Sequence, residues 1–173
     1  MLLRQAEEFE YPVVKEFYDA VVDGMADSKY RPGWKKGKYP GNEYAYEAIM
    51  NGELYIGIED GTVISAMVVN HRYNEEFVNV KWQKELTHDE FGVIHAFGVR
   101  PEYQKKGYGG QMVEYVVEQA RLKGLKAIRL DVLVGNLPAE KLYPTHGFVL
   151  VEKHKMQHPN LGLVEFNMYE RLL

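Results

Sequence analysis

Residues 92–134 read GVIHAFGVRPEYQKKGYGGQMVEYVVEQARLKGLKAIRLDVLV, and their pattern predicts the central part of the fold. Its two ends, residues 92–99 and 127–134, are mostly apolar and predict two strands. Between them, apolar residues of 109–123 recur at three- and four-residue steps, which predicts an amphipathic helix with a Lys-Gly stop signal. A strand, a helix and a second strand in this order predict a right-handed parallel crossover.

The rest of the chain predicts antiparallel strands around this crossover. Further strands are expected at residues 2–4, 54–58, 62–70, 148–153 and 164–169, and further helices at 7–25, 43–51 and 136–146. The turn Glu59-Asp60-Gly61 joins two of these strands into a hairpin, so we expect a mixed sheet. Residues 75–90 are charged, and we expect a strand edge and a loop there. The length of 173 residues suits one α/β domain over residues 1–173.

Composition narrows the function classes. The 21 basic and 25 acidic side chains give a net charge of −4, which disfavours a nucleic-acid partner, because counterion release needs a basic surface. The chain has no cysteine, which excludes disulfides, thiolate zinc sites and a cysteine nucleophile. Its apolar runs are too short to cross a bilayer, and its first residues lack the apolar core of a signal peptide. We therefore expect a cytoplasmic protein with no membrane partner.

The turn before the crossover helix has the composition of an anion site. Residues 99–110 read VRPEYQKKGYGG and bring three glycines and two lysines to a helix start. Unpaired N–H groups and the positive end of the helix dipole meet there, and two lysines suit a diphosphate better than one carboxylate. No P-loop string is present, and a dinucleotide fingerprint is disfavoured because Met112 occupies its third glycine position. A turn without any ligand is disfavoured too, because these lysines and glycines have no packing purpose.

Two motifs around the second crossover strand resemble those of one superfamily. Residues 104–109, QKKGYG, resemble the Q/R-x-x-G-x-G/A acetyl-CoA signature of the GNAT N-acetyltransferase superfamily. Residues 136–148, NLPAEKLYPTHGF, are similar to its N-x-x-A-x-x-L-Y-x-x-x-G-F string. The resemblance covers essentially the whole chain. It implies an α/β GNAT-like fold, with a mixed, mostly antiparallel central sheet and a splayed parallel strand pair, flanked by helices.

The resemblance also implies acetyl-CoA (coenzyme A) as the cofactor and indicates which residues bind it. Pantetheine is expected to pair with the backbone of Phe97, Gly98 and Val99. The pyrophosphate is expected on the turn formed by Gln104, Lys105, Lys106, Gly107, Tyr108, Gly109 and Gly110. Asn136 matches the position that contacts the cofactor arm. Tyr143 matches the catalytic position that protonates the departing thiolate, a role that a phenol can fill.

The acceptor amine must also lose a proton. Many members of the superfamily use a glutamate on the strand before the signature, but the matching position here is Val93. His95 lies two residues further on and shares its face of the strand. Because the ordinary pKa of histidine is about 6.5, His95 is our candidate base. Glu90, Asp131 and water stay open as alternatives.

A long loop is expected at residues 27–42, where glycines and prolines are frequent. The corresponding loop of the superfamily borders the acceptor pocket. We therefore expect a substrate lid in which Trp34 and Tyr39 contact the substrate, and a solvated or dimer-contacting loop is the alternative. The resemblance also allows a homodimer. His154 and His158 have a spacing that binds metal on a helix, but no third ligand is evident, so we expect no metal site.

The expected function is transfer of an acetyl group from acetyl-CoA to the amine of a small molecule. The amine attacks the thioester directly, and a backbone N–H on the splayed strand stabilises the oxyanion. A peptide or protein N-terminus, or a lysine, is an alternative acceptor. A non-catalytic acyl-CoA-binding module is the alternative from another function class.

Overall fold

The computed structural model describes residues 1–26, 28 and 33–173 of the chain. Its helices are α1 (Tyr11–Gly24), α2 (Asn42–Met50), α3 (Tyr108–Leu122) and α4 (Leu137–Thr145). Its strands are β1 (Leu2–Gln5), β2 (Leu54–Glu59), β3 (Thr62–Asn70), β4 (Phe91–Val99), β5 (Ala127–Leu133), β6 (Val149–His158) and β7 (Gly162–Leu172). This order of strands and helices is the predicted one. None of the helices in the described part of the chain is long and apolar enough to cross a membrane.

The strands form one seven-stranded sheet in the order β1-β2-β3-β4-β5-β7-β6. The pairs β1–β2, β2–β3, β5–β7 and β6–β7 are antiparallel, and β4–β5 is parallel. The parallel register covers three residue pairs, from Phe91 with Ala127 to Val93 with Arg129. The mixed, mostly antiparallel sheet with one parallel pair is therefore confirmed.

The contacts between residues divide the chain into two compact units. The first comprises Met1–Val69 and His95–Val116, and the second comprises Asn70–Ile94 and Val117–Leu173. In the first unit, the apolar face of α1 packs in a core with β2, where the side chain of Phe17 is fully buried. This is the packing expected of a helix whose apolar residues recur at three- and four-residue steps. The single domain over residues 1–173 stays a prediction.

A buried ion pair organises the second unit. Arg129 of β5 donates from Nε to Oε1 of Glu170 on β7 at 2.8 Å, and both side chains are almost completely buried. The guanidinium lies 4.5 Å from the ring centroid of Trp82 and donates to the carbonyl of Lys84 at 2.8 Å. The second oxygen of Glu170 accepts from the N–H of Gln83 at 2.8 Å. The segment that precedes β4 is therefore fastened to the sheet by charge-assisted hydrogen bonds.

Three local predictions differ from the structure. Residues 75–90 were expected to contain a strand edge, which is wrong: the structure has a 3-10 helix at Glu75–Asn79, capped by the Asn74 side chain, which accepts from the N–H of Glu76 at 3.0 Å. The helix expected at residues 7–25 begins as a separate 3-10 helix at Glu8–Glu10. The last two strands are longer than predicted, and β6 extends to His158. Of the predicted loop, residues 27 and 29–32 lie outside the described residues.

Candidate functional site

Arg100 holds the start of the turn between β4 and α3 in the first unit. Its Nε donates to the carbonyl of Val63 at 2.8 Å, and its Nη2 donates to Glu16 of α1 at 2.7 Å. Pro101 packs closely on the end of α1 at Gly24. A Cβ built on Gly24 would lie only 2.2 Å from the Pro101 ring, so only a glycine fits there. These contacts determine where the turn leaves β4. Sequence reasoning missed Arg100, since an arginine beside a turn usually indicates an exposed side chain.

The turn contains two left-handed residues and leads directly into α3. Lys105 (φ +60°) and Gly107 (φ +85°) both adopt the left-handed conformation. The N–H of Gln111 donates to the carbonyl of Gly107 at 3.2 Å, so the first hydrogen bond of α3 closes on Gly107. The N–H groups that precede Gln111 in the first turn of α3 have no acceptor within the helix. Apart from Gly107 itself and its two chain neighbours, no atom of the described residues lies within 4 Å of a Cβ built on Gly107, so the space beside this helix start is open.

The polar side chains of the turn differ in what they contact. Lys105 and Lys106 are exposed, and the Lys106 ammonium lies 5.3 Å from the ring centroid of Tyr103. Gln104 donates from Nε2 to the carbonyl of Val99 at 3.0 Å, so its amide supports the turn. The structure therefore brings the predicted phosphate-binding residues together at the start of α3, with positive charge on the solvent side.

β4 is irregular at Ala96, three residues before its end. Ala96 has φ +48°, a left-handed conformation that is uncommon for a residue with a side chain. Its carbonyl accepts a hydrogen bond from the hydroxyl of Tyr18 on α1 at 2.9 Å. Gly98 then passes close under α1, where an added Cβ would lie 3.2 Å from the Val21 side chain. The sequence did not predict this irregularity, because alanine is no signal for a left-handed residue.

Aromatic side chains from the predicted lid lie beside this part of β4. The ring of Trp34 would be 3.6 Å from a Cβ built on Gly98. Its centroid lies 6.2 Å from that of Tyr18 and 6.1 Å from that of Tyr39, which in turn is 5.5 Å from Tyr44. Burial raises the pKa of Tyr18 and of Tyr44, so both hydroxyls stay protonated at neutral pH. The two predicted substrate-contacting residues thus belong to one aromatic cluster, formed by Tyr18, Trp34, Tyr39 and Tyr44.

The candidate base His95 lies in β4 immediately before Ala96 and is half-buried. Val93, the position at which the resemblance implies a glutamate in other proteins, is fully buried in the apolar core of the second unit. A charged side chain at Val93 would be desolvated there without a partner. This position is therefore part of the core in this chain.

In the second unit, Tyr143 is buried on α4. Its ring centroid lies 5.3 Å from that of Phe148 and 6.2 Å from that of Tyr169. Burial raises the pKa of Tyr143, and the nearby carboxylate of Asp131 raises it further. The phenol is therefore protonated throughout the neutral range, as an acid or a hydrogen-bond donor must be.

Asn136 stands directly before α4, but its side chain makes no capping hydrogen bond. Glu140 fastens this end of the helix instead. Its Oε1 accepts from the N–H of Gly135 at 2.8 Å and from Nδ2 of Asn167 at 2.9 Å. The half-buried side chain of Asn136 therefore does not cap this helix, and the role of Asn136 in cofactor binding stays a prediction.

The two acidic candidates for the base have opposite environments. Desolvation raises the pKa of half-buried Asp131 to about 6. Glu90 forms an ion pair with Lys126 and accepts from the N–H of Thr87 at 2.9 Å. The Lys126 ammonium, followed by the Thr87 N–H, lowers the pKa of Glu90 to about 2. Glu90 is therefore a turn-forming carboxylate and a poor proton acceptor, whereas Asp131 can take up a proton near neutral pH.

The two histidines of β6 lie too far apart to share a metal ion. Four residues along a strand span about 13 Å. His154 lies 3.3 Å from Glu76 and 3.2 Å from Glu152, and Nδ1 of His158 accepts from the N–H of Asn160 at 3.1 Å. Within residues 1–26, 28 and 33–173, no three histidine or acidic side chains are grouped so that they could hold a metal.

Comparison with known proteins identifies the family. The model of the Acetyltransferase (GNAT) family matches residues 21–148, which is more than half of the chain. The chain belongs to the GNAT acetyltransferase family. The predicted resemblance is therefore confirmed, and acetyl-CoA is the acetyl donor of this family.

Three individual proteins that match this chain are 14% to 31% identical to it. A mycothiol acetyltransferase of Corynebacterium glutamicum is 31% identical over 80 residues, which is 46% of this chain and 27% of that protein. The chain thus spans about a quarter of the length of the curated relatives it matches. A GNAT acetyltransferase of Streptococcus agalactiae 2603 has a TM-score of 0.82 and 16% identity, covering 99% of this chain and 95% of that one.

A second solved structure is that of yncA from Salmonella typhimurium, determined with its cofactor acetyl-CoA. It has a TM-score of 0.74 and 14% identity, covering 100% of this chain and 94% of that one. The TM-scores of these two structures show that the fold is shared, and at identities this low neither structure indicates the substrate of this chain.

The raised pKa of Asp131 predicts a pH-dependent stability difference for Asp131→Asn. The pKa of an aspartate in an unfolded chain is about 3.9, whereas that of Asp131 in the folded chain is about 6. The folded chain therefore binds this proton more tightly than the unfolded chain does. The stability that Asp131 contributes is complete below that value and is lost as the pH rises through about 6. As the pH rises from about 4 to about 8, the free energy of unfolding of Asp131→Asn, measured with urea, should increase relative to that of wild type by roughly 1–3 kcal/mol. A difference that does not change with pH would contradict this environment for Asp131.

Proposed function

We propose that this chain transfers an acetyl group from acetyl-CoA to the primary amine of a small molecule. The observation that carries this proposal is the open helix start at the end of β4. Left-handed Lys105 and Gly107 expose the first N–H groups of α3 there, next to two exposed lysines. Such a helix start binds a diphosphate through N–H groups, the helix dipole and side-chain charge together.

The cofactor would extend from this turn along β4. The turn from Gln104 to Gly110 would hold the diphosphate, and the backbone of Phe97, Gly98 and Val99 would pair with pantetheine. Two observations support this course: the register of β4 with β5 ends at Val93, and Ala96 interrupts the extended backbone of β4 with a left-handed conformation. In the second unit, Asn136 matches the family position that contacts the cofactor arm.

The reaction needs a donor for the oxyanion. The amine nitrogen attacks the thioester carbon, a C–N bond forms, and the carbonyl oxygen becomes an oxyanion. The C–S bond then breaks and coenzyme A leaves as a thiolate. The N–H of Phe97 would stabilise the oxyanion, because it follows the irregularity at Ala96 and lies on a rigid strand.

Tyr143 would assist the leaving thiolate. Its raised pKa keeps the phenol protonated, which supports a donor role and argues against a role as base. The pKa of a free thiol is about 8.5, well below the raised pKa of this phenol. Complete transfer of the phenol proton to the sulfur is therefore energetically unfavourable. A hydrogen bond that strengthens as charge develops on the sulfur is the part of the role that this environment favours.

The amine proton has two remaining protein acceptors. His95 lies next to the irregularity of β4, and Asp131 has a pKa of about 6. Water is the third acceptor that we retain, whereas the ion pair with Lys126 disfavours Glu90. We propose His95 as the base, because it is on the strand that would present the thioester.

The aromatic cluster would bind the acceptor. Trp34 lies against Gly98, and the ring of Tyr39 lies 6.1 Å from that of Trp34. Rings of this kind suit an amine that has an apolar or aromatic body. We propose a small-molecule acceptor over a peptide, and both the acceptor class and the homodimer remain predictions.

A panel of acceptors tests the proposed function. The chain, acetyl-CoA and individual amines are mixed, and release of the free thiol is followed with a chromogenic disulfide. We expect release with one or more small arylalkyl or alkyl amines, and slower release with peptides that carry a free N-terminus or a lysine. Tight binding of acetyl-CoA without thiol release from any amine would instead support a non-catalytic acyl-CoA-binding module.

Tyr143→Phe tests the donor role. The variant keeps the ring that packs on Phe148 and loses only the hydroxyl. We expect kcat to fall by a factor of about 10² while the affinity for acetyl-CoA changes little. Tyr169→Phe is the matched control, since it removes another hydroxyl from the same ring cluster and should leave kcat within about threefold. Full activity of Tyr143→Phe on a verified acceptor would remove Tyr143 from the mechanism.

Gly107→Ala tests the diphosphate site, and Gly124→Ala controls for backbone strain. Both glycines are left-handed, at φ +85° and φ +78°, and apart from their chain neighbours no described residue comes within 4 Å of a Cβ built on either one. Each alanine should therefore cost a similar amount, about 1 kcal/mol, in urea unfolding. Only Gly107→Ala should weaken acetyl-CoA binding in calorimetric titration, by about tenfold or more. Equal affinities of the two variants would contradict a diphosphate site at this turn.

A further inference from the structure

The left-handed Ala96 needs a contact that holds it. A strand residue with a side chain ordinarily has a negative φ, and a positive φ persists only where surrounding contacts enforce it. Ala96 has φ +48° and is 6% exposed. It is neither a glycine, which adopts a positive φ at no steric cost, nor a residue of an exposed turn. Residues held in this way cluster at functional sites, because the same contacts also fix the direction of neighbouring groups.

The contact that holds Ala96 is a buried hydrogen bond from another element. The hydroxyl of Tyr18 donates to the Ala96 carbonyl at 2.9 Å, and Tyr18 is 3% exposed. The Tyr18 ring has its centroid 5.1 Å from that of Phe17 and 6.2 Å from that of Trp34, so it has little room to move. A carbonyl that lost this donor would remain buried without its partner, which is unfavourable. Tyr18 therefore opposes rotation of the peptide that follows Ala96.

Fixing that carbonyl also fixes the next N–H. In a trans peptide the C=O of one residue and the N–H of the next point in opposite directions. Because the Ala96 carbonyl points to Tyr18 on α1, the N–H of Phe97 points away from α1. The close passage of Gly98 under Val21, where an added Cβ would lie at 3.2 Å, restrains the strand on the other side of this peptide.

We propose that Tyr18 is a positioning residue for acetyl transfer, whose hydroxyl holds the Ala96–Phe97 peptide so that the Phe97 N–H faces the acyl oxygen. The inference rests on the proposed function, since the acyl oxygen belongs to acetyl-CoA. Tyr18 itself touches no reacting atom and acts through the backbone. The high pKa of the buried phenol is consistent with this role, because the hydroxyl donates throughout the working pH range.

Tyr18→Phe separates this role from simple packing, because the ring is kept. With a verified amine acceptor, we expect kcat to fall about tenfold or more while KM for acetyl-CoA stays within about threefold. Tyr46→Phe is the control: Tyr46 is in the same unit, its hydroxyl lies 3.4 Å from Glu8, and it should leave both constants unchanged. A fall in kcat in the control as large as that in Tyr18→Phe would overturn the proposal.

Ala96→Gly provides the decisive background. Glycine adopts a positive φ without steric cost, so the peptide keeps its orientation more readily when the hydroxyl is absent. Tyr18→Phe should therefore lower kcat by less than about threefold in the Ala96→Gly background. A structural role without positioning would give the same loss in both backgrounds, and that result would overturn the proposal.

Nuclear magnetic resonance of the free protein tests the holding contact without any acceptor. The coupling between HN and Hα and the Cα shift of residue 96 distinguish a left-handed residue from an extended one. We expect the left-handed signature in wild type and in Tyr46→Phe, and an extended one in Tyr18→Phe. An unchanged signature in Tyr18→Phe would overturn the proposal. Because this measurement needs no catalysis, it distinguishes failure of the holding contact from failure of the proposed acetyl transfer.

Discussion

The unpaired N–H groups at the start of α3 constrain the rest of the candidate site. They attract an anion only if the helix start stays open and the strand before it ends in the right place. Arg100 fixes the end of β4 by donating hydrogen bonds to the Val63 carbonyl and to Glu16. Gly24, which has no side chain, allows the turn to pack closely on α1. The end of β4 is thus specified by packing and hydrogen bonds that touch no ligand.

Desolvation raises the pKa of a buried carboxyl group and of buried phenols alike, but the chemical outcome at neutral pH differs between them. It raises the pKa of Asp131 into the range where a carboxyl can exchange a proton near neutral pH. Two buried phenols, those of Tyr18 and Tyr143, are instead kept protonated and limited to donating. Where a cation is adjacent, as at Glu90, the carboxylate is fixed in its charged form and serves the fold. Local environment therefore separates the chemical roles of residues that look alike in the sequence.

Much of the fold could be predicted because its signals are periodic. The apolar face of α3, the hairpin of β2 and β3 and the two family motifs all lie where the sequence predicts them. The conformation of Ala96 could not be predicted, since it depends on a hydroxyl 78 residues away in the chain. Arg100 was missed for the same reason, since its side chain bonds to the carbonyl of Val63 and the carboxylate of Glu16, which are both distant in the sequence. β6 was predicted too short because charged side chains at an exposed sheet edge mask the strand pattern.

A crystal structure of the chain with bound acetyl-CoA would locate the diphosphate relative to the start of α3. We expect the diphosphate against the first N–H groups of α3 and the thioester oxygen within hydrogen-bond distance of the Phe97 N–H. We also expect Ala96 to keep its left-handed conformation in the complex. A cofactor bound elsewhere, with this helix start empty or covered by neighbouring side chains, would rule out a diphosphate site at this turn.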